Sequence, residues 1–378
     1  MRYLLLFITI STFSCVEQRE SSSTKLVISD KFIQDSILFS PLVADIKTTK
    51  LETTKGSLIS EIYKIAEYKG NYYFLDKYSA STVSAFDSLG KFLMSYGQKG
   101  KGEKGSYVLP MDFCIDKVAN QMLVLNSEEH EVHYYDLSTG QFLKTKSYVT
   151  PFHDFYKTED GFVLGGAGKE KRLLFADSNF RVKEKFISFD QRGGSGILNK
   201  FFNVNDSLLL FRISYSDTVF RISNHEAVPY LTIDFQDHSF KKEDYQQLTG
   251  SQKLRLGEFA SDKMTNLAVY AESNSHRIFS FDYKHNRYIC IEDKLSEHLK
   301  IFRRDKIIDD ILHLRDFPTV LGTDKNDYFL FAISSSKLYN ATKEITSRKF
   351  PKNHFSINLD KLDPMGNPIL VRIKFTKF

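Results

Sequence analysis

From about residue 59 onward the chain is cut into short apolar or aromatic runs separated by turn signals, and few stretches are periodic enough for a long helix. The clearest unit spans residues 62–96. A first run ends at Tyr68, the turn Lys69-Gly70-Asn71 follows, then Tyr72-Tyr73-Phe74-Leu75, a polar turn, Val83-Ser84-Ala85-Phe86-Asp87, the turn Ser88-Leu89-Gly90, and a last run to Tyr96. Four antiparallel strands are implied. The runs are apolar at consecutive positions, as in Leu208-Leu209-Leu210-Phe211, where a sheet with one wet face would alternate. Sheets buried on both faces follow, and blades packed against two neighbours in a ring supply that burial.

The unit recurs over residues 111–146, 153–189, 199–235 and 257–291. An Asp closes the expected third strand at Asp87, Asp136, Asp177 and Asp282, where its carboxylate opens the next turn by accepting backbone amides. A sixth unit is assembled from Tyr328-Phe329-Leu330-Phe331-Ala332-Ile333 and the chain ends. The expected fold is therefore all-β, a six-bladed β-propeller of four-stranded antiparallel blades with short helical insertions. Those insertions are placed at 240–256 and 295–312, the second because Leu299, Phe302, Ile308, Ile311 and Leu312 recur at helix-like intervals. The tail alternates from Leu370 on, with Val371, Ile373 and Phe375 making one apolar face. It is expected to close the ring by joining a strand from the region 47–53.

Composition agrees. A chain of 378 residues, 42% hydrophobic, with 8 Pro and 19 Gly, can bury a large core and is not disordered. The 33 Phe and 20 Tyr suit strands. The lack of Trp excludes repeats built on a Trp-Asp dipeptide. A net charge of +5 is too small for a nucleic-acid field, so nucleic acid is not expected as a partner.

Residues 1–15 carry Arg2, an apolar run through Ile10, and Thr12-Phe13-Ser14-Cys15 before a polar stretch. The run is too short to span a bilayer and reads as an export signal. The small residue before Cys15 makes it a lipobox, with Cys15 diacylated and two chains supplying stable anchoring. Residues 16–30 are then a flexible tether and 31–378 the propeller. Cys114 and Cys290 sit in apolar strand-like text and are read as buried thiols.

Several stretches resemble the six-bladed β-propeller lipoproteins of Bacteroidetes-type bacteria, which have NHL-like repeats. They are Leu51-Glu52-Thr53-Thr54, Phe86-Asp87-Ser88-Leu89-Gly90, the glycine loop Gly97-Gln98-Lys99-Gly100-Lys101-Gly102-Glu103, Asp112-Phe113-Cys114-Ile115-Asp116 and Asn367-Pro368-Ile369-Leu370-Val371. The resemblance implies the fold and an envelope address, at the outer membrane, and supplies no catalytic motif.

Other motifs have bland explanations. The GxGxxG match at residues 100–105 is followed by Ser106-Tyr107-Val108-Leu109-Pro110, which cannot open a helix, so it is an inter-blade crossover and not a pyrophosphate loop. His130 and His133 lack a zinc-binding helical context. The innermost strand of each blade starts at one end of the central channel. Aligning the blades gathers Lys64, Asp112, Asp154, Lys200, Glu258 and His313 there, with His153 adjacent, as a solvated ligand site for a cation, a sugar or a peptide end. The leading functional reading is an envelope-anchored, non-catalytic binding or scaffold propeller that needs no cofactor and holds a glycan, peptide or partner protein. The alternative is a metal-dependent hydrolase or lyase of NHL-like type. In it Asp112, Asp154 and Glu258 would ligate a divalent ion, and His153 or His313 would act as general base.

Overall fold

The computed structural model describes residues 23–166, 171–188, 201–204, 208–213, 216–223, 225–254, 260–265, 267–344 and 362–378. Cys15, Lys200 and Glu258 lie outside the described residues.

Six antiparallel blades form the ring. The first holds Ile62–Tyr68, Asn71–Asp76, Thr82–Phe86 and Phe92–Tyr96; the second runs from Pro110–Asp116 to Phe142–Ser147, and the third from Asp154–Lys157 to Val182–Ser188. The fourth begins with Phe201–Val204 and ends with Glu226–Asp234, and the fifth begins with Tyr270–Glu272 and ends with His298–Arg303. Middle strands such as Gln121–Asn126 bury nearly every residue, as expected of sheets covered on both faces. Apolar clusters fill the space between blades, with Phe113, Met122 and Val124 meeting Tyr73, Leu75 and Val83 between the first and second.

The ring closes as the alternating tail requires. Ile369–Phe375 lies between Phe329–Ile333 and the N-terminal strand Val43–Lys50, pairing antiparallel with both, and Gly322–Thr323 completes this sixth blade on the inside. Asn367, 1% exposed, locks the seam: its Oδ1 accepts the Ile59 amide at 2.8 Å and its Nδ2 donates to the carbonyls of Glu52 and Ser57 at 2.7 and 2.8 Å.

The N-terminal segment reaches further than the closing strand. Thr24–Val27 runs parallel to Glu226–Asp234 on the outer edge of the fourth blade, and Ile33–Gln34 runs parallel to His298–Arg303 on the fifth. These short strands cover backbone edges that would otherwise face solvent. Thr24–Val27 is thus paired, inside the stretch 16–30 expected to be a tether.

Two other expectations need correction. Residues 295–312 do not form a helix. They hold the fourth strand of the fifth blade, His298–Arg303, a single 3-10 turn at Arg304–Lys306 and the short strand Ile307–Ile308. The helix-like spacing arises because Leu299 and Phe302, three apart, pack on opposite faces of a doubly covered strand. Beyond it, Asp309 winds a loop by accepting the amides of Ile311, Leu312 and Leu314. Asp282 accordingly lies in the second strand of that blade, His276–Tyr283, and pairs with Arg287. The turn-opening Asp of the third strand is Asp293, which accepts the Leu295 amide at 3.0 Å, as Asp87, Asp136 and Asp177 do in theirs. The stretch 240–256 does carry helices, Lys242–Gln246 and Gly250–Leu254. A longer helix, Ser335–Glu344, was not expected; it buries Leu338 and Ala341 against the fifth and sixth blades.

Candidate functional site: the central channel

Every innermost strand runs in the same sense, from a long inter-blade connection to a tight hairpin turn, so the channel has two unlike ends. At the starting end two of the predicted carboxylates, Asp112 and Asp154, are not solvated. Asp112 is 2% and Asp154 3% exposed. Asp112 Oδ1 accepts from Lys64 Nζ at 2.7 Å, and its Oδ2 accepts the Phe155 amide at 3.0 Å. Lys64 Nζ also donates to the Phe113 carbonyl at 2.8 Å, so this ion pair joins the first, second and third blades.

Asp154 belongs to the same buried cluster, with Tyr63 and Arg212. Burial lowers the Arg212 guanidinium to about 10, opposed by the charge of Asp154. Burial raises the Tyr63 hydroxyl well above its ordinary range, helped by Asp154 and Asp112. These charges compensate one another inside the protein, as buried ionic groups must. His153 is half-buried and its amide donates to the Gly165 carbonyl. His313 sits with φ of 61° in the Asp309-wound loop between the fifth and sixth blades. The structure therefore brings Lys64, Asp112 and Asp154 together as an internal brace and not as an open ligand ring. Both oxygens of Asp112 are engaged within the protein, and the charge of Asp154 acts on the Arg212 guanidinium. Among the described residues, no group of three or more His, Cys, Asp or Glu side chains could hold a metal ion.

The open part of the channel is a cavity of about 620 Å³ that all six innermost strands line. Its wall starts at Lys64 and Phe113 and continues through Tyr156, Phe201, Phe202 and Asn203. It ends at the hairpin turns with Tyr68, Lys69, Lys117, Asn274 and Lys325. Aromatic rings thus line the body and ammonium groups the rim. Glu272 contributes to the wall from a buried network. It accepts from Tyr230 at 2.7 Å, Arg277 at 3.0 Å, Lys294 at 2.5 Å and Tyr270. Burial alone would raise the Glu272 carboxyl, but Arg277 and Lys294 hold it below its ordinary value.

The profile of a family described as a domain of unknown function, DUF4934, matches residues 25–374. The chain belongs to the DUF4934 family. A solved structure of a Bacteroides fragilis protein inferred to be exported is similar to this DUF4934 chain, with a TM-score of 0.77 at 17% identity, covering 94% of this chain and 100% of that one. A DUF4221-family member from Bacteroides vulgatus is also similar, with a TM-score of 0.51 at 10% identity over 89% of this chain and 97% of its own. At these identities the likeness shows a shared fold. No curated protein matches.

Among the described residues, Lys64 is the only site residue expected from sequence that lines the DUF4934 cavity. Tyr68, Lys69, Lys117, Tyr156 and Lys325, which line the cavity, stand in the interior or at the ends of the inner strands or in the turns after them, and not at the strand beginnings where the site was expected. The available signal was an aromatic or Lys at or beside the ends of the first three inner strands, at Tyr68, Lys117 and Tyr156.

Proposed function

We propose that this protein is a non-catalytic binding propeller of the cell envelope that takes a glycan or peptide ligand into the central cavity from the hairpin-turn end. The observation that carries the reading is the cavity itself: about 620 Å³, walled by all six blades, aromatic inside and lysine-rimmed. Ligand sites commonly have this size and this mixture of apolar wall and a few polar groups. The lipobox ending at Cys15 supports an acylated anchor on the outer membrane, and the likeness to an exported Bacteroides fragilis propeller agrees with export. The NHL-like repeat style is part of the same reading.

A plugged cavity tests it. Gly322 lines the wall, and a Cβ placed there would meet only the Ile65 carbonyl oxygen at 3.5 Å, so Gly322→Phe sends a ring into the cavity without a backbone clash. On glycan and peptide arrays, wild type is expected to give discrete signals that the folded Gly322→Phe variant loses. Equal signals from both proteins, or none from wild type, would refute the cavity as a binding site.

A further inference from the structure

Resting on that binding reading, we propose that the cavity ligand is an oligosaccharide bearing carboxylates, a uronic-acid glycan, gripped at the mouth by Lys69 and Lys117 around Tyr68. The two lysines come from the hairpin turns of different blades yet converge on one ring. Lys69 Nζ lies 5.1 Å and Lys117 Nζ 5.4 Å from the Tyr68 centroid. Cation–π attraction holds both exposed ammonium groups at the rim before any ligand arrives.

The acidic groups of the wall are directed into the protein's own chain. Glu67 Oε1 accepts the Gly70 amide at 2.8 Å, Asp324 Oδ1 accepts the amides of Asn326 and Tyr328 at 2.8 and 3.1 Å, and Glu272 is enclosed by Arg277 and Lys294. Around the mouth, Lys69, Lys117 and Lys325 outnumber Glu67, which lies 4.0 Å from Lys325, and Asp324, so the charge offered to an incoming molecule at the Tyr68 corner is positive. Below it, the half-buried Tyr156 and Phe202 line the wall with rings of the kind on which the apolar C–H face of a pyranose packs. A uronate polymer repeats that face and a carboxylate on every ring, which matches lysines over an aromatic wall. A neutral glycan would leave the lysines unused.

The test is isothermal titration of the full mature chain with short oligomers of galacturonate, mannuronate and glucuronate, each beside its methyl ester, and with a Glu-Gly peptide. The ester keeps the ring and removes the charge. At least one acid is expected to bind about tenfold more tightly than its ester at low salt, with the margin shrinking as salt rises. The double variant Lys69→Ala/Lys117→Ala should abolish that margin while leaving affinity for the ester unchanged. Equal affinity for acid and ester, preference for the acidic peptide, or no binding of any acid would overturn the proposal. If a ligand found on the arrays is still excluded by Gly322→Phe, the binding reading survives that failure; if that variant excludes nothing, both fall.

Discussion

Lys64 in the innermost strand of the first blade and Asp112 in that of the second form an ion pair at 2.7 Å, and the same carboxylate caps the Phe155 amide of the third blade at 3.0 Å. One side chain thus fastens three consecutive blades at the closed end of the channel.

Asp112→Ala is therefore expected to destabilise the protein by about 3–5 kcal/mol, since it strands a mostly buried ammonium group and a buried amide. Denaturant midpoints of wild type and variant check this. A solvated channel carboxylate would predict a change close to zero, and such a result would return Asp112 to the ligand-site role.

Much of the fold was legible because it is repetitive. The first blade could be bounded at 62–96, and the alternation at Leu370 to Phe375 foretold its place in the closing sheet. The fifth blade was misread by one strand because Leu299 and Phe302, three apart and packed on opposite faces of a strand, have the spacing of a helical face. The helix Ser335–Glu344 escaped because its polar Ser, Lys and Asn residues give a weak apolar stripe. The site failed for a different reason. Sequence identifies which residues begin each inner strand, but whether that end is sealed depends on burial of Tyr63 and Arg212 beside Asp154. That cluster joins residues from three blades.

The seam gives a second expectation. Asn367→Ala removes three hydrogen bonds and takes away the partner of the buried Ile59 amide and Ser57 carbonyl, which should cost about 2–4 kcal/mol. Removal of residues 367–378 takes away the strand between Phe329–Ile333 and Val43–Lys50, and should make the whole ring protease-sensitive. Limited proteolysis reads both, and a truncated protein as resistant as wild type would contradict this closure.

His276 makes acid stability a third test. Its Nε2 donates to the Thr376 carbonyl at 2.8 Å, and burial holds the imidazole below its ordinary value near 6.5. The unfolded chain therefore takes up a proton before the folded one does, so this group's contribution is complete above about pH 6.5 and is lost as the pH falls below it. The urea midpoint should decline less steeply between neutral and mildly acidic pH in His276→Gln than in wild type. Parallel declines would show that His276 is not the group responsible.

Cys114 and Cys290 should be chemically silent. Burial raises both thiols above their ordinary value, so little thiolate exists at neutral pH. A maleimide reagent should leave both unmodified in the folded protein and label both in denaturant, as read by mass spectrometry. Rapid labelling of either one without denaturant would contradict the core packing described above.

The central claim is that ligands enter at the hairpin-turn end and not at the end where the inner strands begin. The most direct measurement is the dissociation constant of an array-identified ligand for two folded variants, Tyr68→Ala/Tyr156→Ala at the cavity and His153→Ala/His313→Ala at the opposite end. The account predicts at least about a tenfold loss of affinity in the first, from removal of two ring surfaces, and wild-type affinity in the second. Loss in the histidine variant with full affinity in the tyrosine variant would contradict it.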